Sequence, residues 1–576
     1  MEVAIAIGIL GLQLFCYLGI PLAWKFFRSR SLSCSVEELW VMGVLMVSLQ
    51  AISGTLWTLL LATHLPPILE GLIFCGGGLL VGEFFYKRPL ESSPVSSKIW
   101  LTLLLGITCF SRIIPAIAHS SLGQSDAYGH LQFGMELLAE GRLRLHSFYP
   151  VGHGWVHTLP AQFFPIDPYT LYRYGGTFYG LGLVLGIYMT ARRAFSESTA
   201  ICASLLVAGF PLFIPLIKTG VGVFANQLGL LLVPYLLWAV SRRFSLALPA
   251  LLALGLSVPM MMLDLLPVLG IYLLIKGSRK QVALLVFLGL SGVGCILYKL
   301  LRLPPEHLEA TIHLLSGQKD LHTLSHLFLH YLSWKPVALS PLIQAAVAVC
   351  SLGAVGLIAF PTWRHRNRIL FPLLVGICGI QSFAGCLQFG QYQRAGWLFL
   401  LGIAFIAGEV GWQLSQRLHL SFLVKPALAC SCLLLLCIPP THNSHLSASE
   451  DELVSFLQDI PNDAQGDIWT RPFNNFAGGQ GDPVRIMLWQ NKGMNVRQIQ
   501  ATTQPSFDPQ KKTWVLIDSA PPVPTGQIEF DHEIQKFWSR NQVLRTAVEQ
   551  SSNRAHTKIE RPGLEIWIFP ATPPQP

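Results

Sequence analysis

Between His119 and Pro165 the chain carries an acid, Asp126, followed by His130, Glu136, Glu140, Arg142, Arg144, His146, His153 and His157. Aromatic residues and Gly-Pro turns run between them. A carboxylate in Gln-Ser-Asp-Ala-Tyr-Gly-His can take a proton from an acceptor hydroxyl, or hold a divalent cation such as Mg or Mn. Asp126 serves equally as a helix N-cap, because it precedes the helix-like LQFGMELLAEG. His130 follows four residues later and shares its face if 126–140 is helical. Glu136 and Glu140 continue along that helix and read as a solvated face. His153 and His157 repeat the four-residue spacing behind a Tyr-Pro-Val-Gly turn. Histidines so spaced can bind a metal, but no third ligand follows at a zinc-site spacing. Two readings stay open for them: lining a polar cavity, or forming the polar tips of an interfacial helix.

The elements that must position these groups are apolar. Of 576 residues, 52% are hydrophobic and only 12% charged, where a soluble domain has about a quarter charged. Runs long enough to cross a bilayer recur up to Leu436. The net charge of +9 does not point to nucleic acid, because Lys and Arg sit in short loops between spans, where they set orientation. All twelve Cys precede Pro439, with no CxxC pair and no Cys/His cluster at zinc spacing, so they read as small apolar packing residues. No Asn-x-Ser/Thr sequon occurs, which favours a bacterial chain. The first apolar run lacks a basic n-region and a cleavage site, and Lys25, Arg28 and Arg30 follow it. That predicts an uncleaved first span with its N-terminus outside.

With basic loops inside, spans are expected at about 3–24, 38–62, 68–85 and 99–118, which puts the Asp126 loop, 119–168, outside. Further spans follow at about 170–190, 199–217 and 222–240. Pro259 and Pro267 interrupt 246–275, which reads as two short helices meeting at 257–264, with Asp264 at their outer apex. Then come about 281–298, a loop at 299–335 whose five His read as the polar face of an interfacial helix, and spans at about 337–360, 369–387, 395–413 and 422–438. The expectation is an α-helical polytopic membrane protein of about 12–14 transmembrane helices over 1–440. Residues 441–576 form a soluble C-terminal α/β domain on the extracytoplasmic side. In that tail, SASEDELVSFLQDI predicts an amphipathic helix, TWVLID and GLEIWIF predict strands, and DHEIQKFWSRNQVLRTAVEQ mixes helical spacing with a strand-like stretch. No phosphate-binding loop is present.

Three cations, Arg394, Arg173 and Lys218, lie at outer ends of spans, against the charge rule. A cation kept there pairs, snorkels to headgroups, or binds an anion such as a lipid-linked phosphate. Arg394, in the polar Gln-Tyr-Gln-Arg turn, is the strongest of the three.

This layout resembles the GT-C class of membrane glycosyltransferases, which use sugars carried on polyprenyl phosphate. The stretch from Asp126-Ala-Tyr-Gly-His130 to Gly-Arg142, followed by Tyr149-Pro-Val-Gly-His153, is similar to that family's acidic first outer loop. The Arg394 turn resembles the place where such enzymes meet the lipid phosphate, and 246–275 resembles their short paired helices. The family often has two adjacent acids here, whereas Asp126 stands between Ser125 and Ala127. Three spans precede span four, where the family usually has one before the loop. The resemblance implies a hexosyl or pentosyl transfer at the outer face of a bacterial inner membrane. A polyprenyl-phosphate-linked sugar is the donor, and a glycan, lipid or protein the acceptor. Asp126 is then the general base, and His130, His153, His157, Arg394, Arg173, Lys218 and Asp264 bind substrate. Asp126, His153 and Arg394 should converge on one outward-facing cavity open to lipid.

Two other classes fit a polytopic chain. A transporter or lipid flippase would show internal repeats and charges within spans, and neither stands out. A membrane scaffold with an outer binding domain would tolerate substitution throughout 119–165.

Overall fold

The computed structural model describes residues 1–31, 34–60, 67–90, 98–122, 125–141, 143, 150–209, 225–276, 278–300, 392–437, 450–461, 463–471, 483–488, 493–499, 505–519 and 528–572. Four long helices open the chain: α1 (Glu2–Ser29), α2 (Val36–Leu60), α3 (Pro67–Lys87) and α4 (Lys98–Ala118). They match the first four expected spans. Among the described residues, Glu2–Ser29, Val36–Thr58 and Lys98–Ala118 are long and apolar enough to cross a membrane. The loop expected outside holds α5 (Ser125–Glu140) and α6 (Gly152–Phe163). The span expected at 170–190 is two helices, α7 (Pro168–Tyr174) and α8 (Gly176–Ala194). Asp167 caps α7 by accepting the Thr170 N–H at 3.0 Å, with Pro168 in the first turn. That pairing starts a helix before the expected span.

Next come α9 (Glu197–Gly209), α10 (Ala225–Arg242), α11 (Phe244–Ser257), α12 (Pro259–Lys276) and α13 (Arg279–Leu300). The break expected in 246–275 falls at Val258, because Pro259 disfavours helical backbone in the residue before it. The loop expected at 299–335 begins as the end of α13. The rest of that loop and the spans expected at 337–360 and 369–387 lie outside the described residues. The bundle resumes with α14 (Tyr392–Arg417) and α15 (Ser421–Leu436).

The two ends of the bundle differ in charge. At one end Lys25 pairs with Glu38 at 2.5 Å, and Arg28 and Lys87 flank Glu83 at 3.3 and 3.0 Å. Arg242 pairs there with Glu37, whose carboxylate also accepts from Trp238 Nε1 at 3.1 Å. These are the basic loops that the charge rule places inside. Glu2, at the far end of α1, pairs instead with Arg173.

The C-terminal domain is a five-stranded sheet of order β2-β1-β3-β5-β4. It comprises α16 (Glu450–Asp459), β1 (Gly466–Thr470), α17 (Pro483–Met487), β2 (Met494–Gln498), β3 (Thr513–Asp518), α18 (Ile528–Gln550), β4 (Thr557–Arg561) and β5 (Leu564–Phe569). β1 runs parallel to β2 and β3, while β5 is antiparallel to β3 and β4. Alternation along the strands gives two cores. Ile468, Trp514 and Leu516 pack with Leu453 and Leu457 of α16. Trp469, Val515 and Ile517 pack with Leu544 and Val548 of α18. The stretch with mixed spacing is helical throughout, because Leu544, Ala547 and Val548 make one helical stripe.

Candidate functional site

The site is built on α5, α6 and α7. Asp126 lies in the first turn of α5, and its side chain is outside the described residues. His130, one turn on, is buried with its ring centroid 5.4 Å from that of His153. Glu136, expected on a solvated face, is 1% exposed and accepts from Gln132 Nε2 at 2.9 Å. The expectation failed because the C-terminal half of α5 is covered on that side: Leu137, on the same helix, packs with Trp57, Val151 and Trp155.

Residues 152–160 of α6 are all buried, so its histidines are not tips facing water. Twelve residues are too few to cross a bilayer, and this helix is pinned to its neighbours instead. Pro160 has no N–H, so the Val156 carbonyl loses its helical partner; the Tyr17 hydroxyl of α1 donates to it. Trp155 Nε1 donates to Thr58 Oγ1 at 2.9 Å. Its ring lies so close to Gly54 that a Cβ there would stand 2.3 Å from Trp155 Cγ.

His153 and His157 are 1% and 0% exposed, with rings stacked at 5.9 Å. His157 Nε2 donates to the Leu171 carbonyl at 3.0 Å, which fixes its neutral tautomer. Its Nδ1, like His153 Nε2, Tyr179 Oη and Gln13 Oε1, is buried without a hydrogen-bond partner. Burial, aided by His130, pushes His157 down to about 3 despite the Leu171 bond. Burial first, then His130 and His157, hold His153 well below the usual histidine range. Gly175, between α7 and α8, makes this packing fit: a Cβ there would lie 2.2 Å from His157 Cε1.

Arg173 is held by the protein itself. Its Nε donates to the Ala116 carbonyl at 2.9 Å, and its guanidinium stands 3.6 Å from Glu2 and over the Tyr174 ring. Tying α7 to α1 and α4 accounts for a cation at this helix end. Arg394 lies in the first turn of α14 rather than in a turn between spans, and Asp264 lies within α12; the side chains of both are outside the described residues. Lys218 is outside them altogether. Of the three groups expected to converge, only His153 has a described side chain.

Arg112 and Glu409 are buried charges within bundle helices that the sequence reading missed. Arg112, within α4, is 3% exposed and lines a cavity of about 10 Å³ with Gly176, Tyr179, Gly180 and Gln227, room for about one water. Its signal was an arginine six residues before the end of a span. Glu409 of α14 accepts from Thr199 Oγ1 at 2.6 Å and joins α14 to α9. Ionisable groups inside spans mark functional paths more often than exposed ones do.

The C-terminal domain meets the bundle at the end bearing Glu2 and Arg173. Asp451 of α16 takes His119 Nδ1 at 2.8 Å and the Ser121 N–H at 2.7 Å. Val454 and Ile486 are buried in the same cluster as the bundle core.

No protein-family model and no curated protein matches the sequence. Solved structures do. ArnT from Cupriavidus metallidurans, crystallised with undecaprenyl phosphate, superposes with a TM-score of 0.52 at 13% identity, covering 82% of this chain and 98% of that one. The apo Archaeoglobus fulgidus oligosaccharyltransferase is similar at a TM-score of 0.38 and 11% identity, over 74% of this chain and 70% of that one. Together with its apolar helices, the likeness to ArnT makes the chain an integral membrane protein that carries a small α/β sheet domain and has the fold of the GT-C membrane glycosyltransferases.

Proposed function

We propose that the chain transfers a sugar from a polyprenyl-phosphate donor to an acceptor at the extracytoplasmic face of the membrane, with Asp126 as general base. The observation that carries this reading is the ArnT-like fold over nearly the whole of that enzyme's length. In this chain an acid opens the outer-loop helix, at the end of the bundle opposite its basic loops. ArnT was solved with undecaprenyl phosphate, which supports a lipid of that kind as partner here. The C-terminal domain shares that end through Asp451, so it is assigned to the same, outer side.

The acceptor hydroxyl oxygen attacks the anomeric carbon. The bond from that carbon to the phosphate oxygen breaks, and the lipid phosphate leaves with the electron pair. The hydroxyl proton passes to Asp126, and configuration inverts. We assign Arg394 to the lipid phosphate, because guanidinium grips phosphate in a bidentate way. The step uses Asp126 and Arg394, and a divalent cation such as Mg or Mn is a further group that the Asp126 carboxylate could hold.

The test is transfer from a labelled polyprenyl-phosphate sugar by the purified chain. Asp126→Asn should cost on the order of 10²–10⁴-fold in rate, the usual contribution of a positioned base, with thermal unfolding unchanged. An Asn variant working at the wild-type rate overturns the assignment.

A further inference from the structure

We propose that Asp451 is a positioning residue: it clamps the C-terminal domain onto residues 119–121 and so fixes the helix that carries Asp126. The catalytic half of this inference rests on the function proposed above; the clamp does not.

One residue serves three consecutive residues of the loop. His119 Nδ1 stands 2.8 Å from Asp451 Oδ2, and the Ser121 N–H donates to Oδ1 at 2.7 Å. Ser120 Oγ donates to the Asp451 backbone carbonyl at 2.7 Å. The other side of this strip is also held, since the Tyr169 hydroxyl of α7 donates to the Ser120 carbonyl. The strip passes its position on to α5. The Leu122 N–H donates to the Tyr128 hydroxyl at 3.1 Å, and that hydroxyl reaches Ser121 Oγ at 3.4 Å. Ser121, Leu122 and Tyr128 are all fully buried. Tyr128 stands two residues after Asp126, on the same helix. Apolar contact backs the polar bonds: Val454 of α16 and Ile486 of α17 are buried in the bundle cluster that also holds Leu122, Ala127, Tyr128 and Leu131.

The chemistry suits a clamp. A carboxylate that accepts from a backbone N–H and an imidazole makes charge-assisted bonds, about twice as strong as neutral ones. A general base loses rate when its oxygen shifts by an ångström or so.

The experiment compares full-length wild type with Asp451→Ala and Asp451→Asn by two readouts. The first is amide hydrogen exchange. Asp451→Ala should speed exchange at Ser121, Leu122 and the first turns of α5 by at least about tenfold, as expected for bonds of this class, while β3 and α18 keep their protection. The second is transfer kinetics. Asp451→Ala should lower kcat at least about tenfold with KM for the lipid-linked sugar little changed, the signature of a misplaced catalytic group rather than a lost binding contact. Asp451→Asn keeps the shape and one acceptor oxygen, so it should recover most of both losses. If the alanine variant does not fold, His119→Ala removes the Oδ2 contact from the other side and should speed exchange at Ser121 and Leu122 in the same way. Unchanged exchange around Ser121 overturns the clamp. Faster exchange with unaltered kcat overturns the positioning role. If Asp126→Asn is fully active, the catalytic half falls with the function, and the exchange readout alone decides the clamp.

Discussion

Replacing Tyr17 by Phe removes one oxygen and leaves the ring. That ring is 1% exposed, stacked on Phe178 at 5.2 Å and edge-on to Phe74 at 5.8 Å, so packing survives. What goes is the donor to the Val156 carbonyl. In an ordinary helix the N–H four residues on would take over, but that residue is Pro160. The carbonyl becomes a buried acceptor with nothing to accept from, which costs about 1–3 kcal/mol. Interhelical bonds in membranes average nearer about 0.6 kcal/mol, which sets the floor. The assay is equilibrium unfolding in mixed micelles, run as a double-mutant cycle with Pro160→Ala. The alanine restores an N–H at position 160, so Tyr17→Phe should then be nearly neutral. The coupling between the two sites should be at least about 0.6 kcal/mol, as for residues sharing one bond. Equal cost in both backgrounds refutes the explanation of why α1 holds α6.

The buried histidines predict a second result. A histidine whose folded pKa is depressed binds fewer protons than in the unfolded chain, so it stabilises fully above its ordinary value of 6.5. That stability is lost as pH falls from about 6.5 towards the folded value of about 3. Unfolding midpoints should therefore drop across this range, and His157→Gln should flatten the drop; a variant with the wild-type slope contradicts it. In the C-terminal domain Arg471 and Asp518, 1% and 4% exposed, pair at 2.5 Å. Arg471→Ala takes the guanidinium away from a buried carboxylate and should cost about 3–5 kcal/mol, read as lost amide protection in β1 and β3. Wild-type protection in that variant refutes the pairing's importance.

Much of the bundle was legible because apolar runs between basic loops can do little else than cross a bilayer. The first four spans and the Pro259 break follow from run length and from a residue that cannot continue a helix. The loop expected outside was singled out for its polar groups, but the burial of Glu136 was not foreseen. Glu136 and the α6 histidines face protein, because α6 sinks against α1 and α2, and no local pattern announces a twelve-residue helix drawn inward by an orphaned carbonyl. Arg112 was passed over because one charge does not spoil an apolar run, and only the fold shows that it lies over Gly180 of α8. Asp451 read as part of a helix start, and its partners stand more than three hundred residues earlier.

That separation has a temporal side. His119 and Asp451 are 332 residues apart, and ribosomes add about 5–20 residues each second. For tens of seconds after it emerges, the stretch before α5 must wait on the membrane surface without its anchor. A nascent chain cut short before Asp451 would complete most of the bundle and still leave that stretch untethered, so a domain made after the bundle closes a loop made near its start.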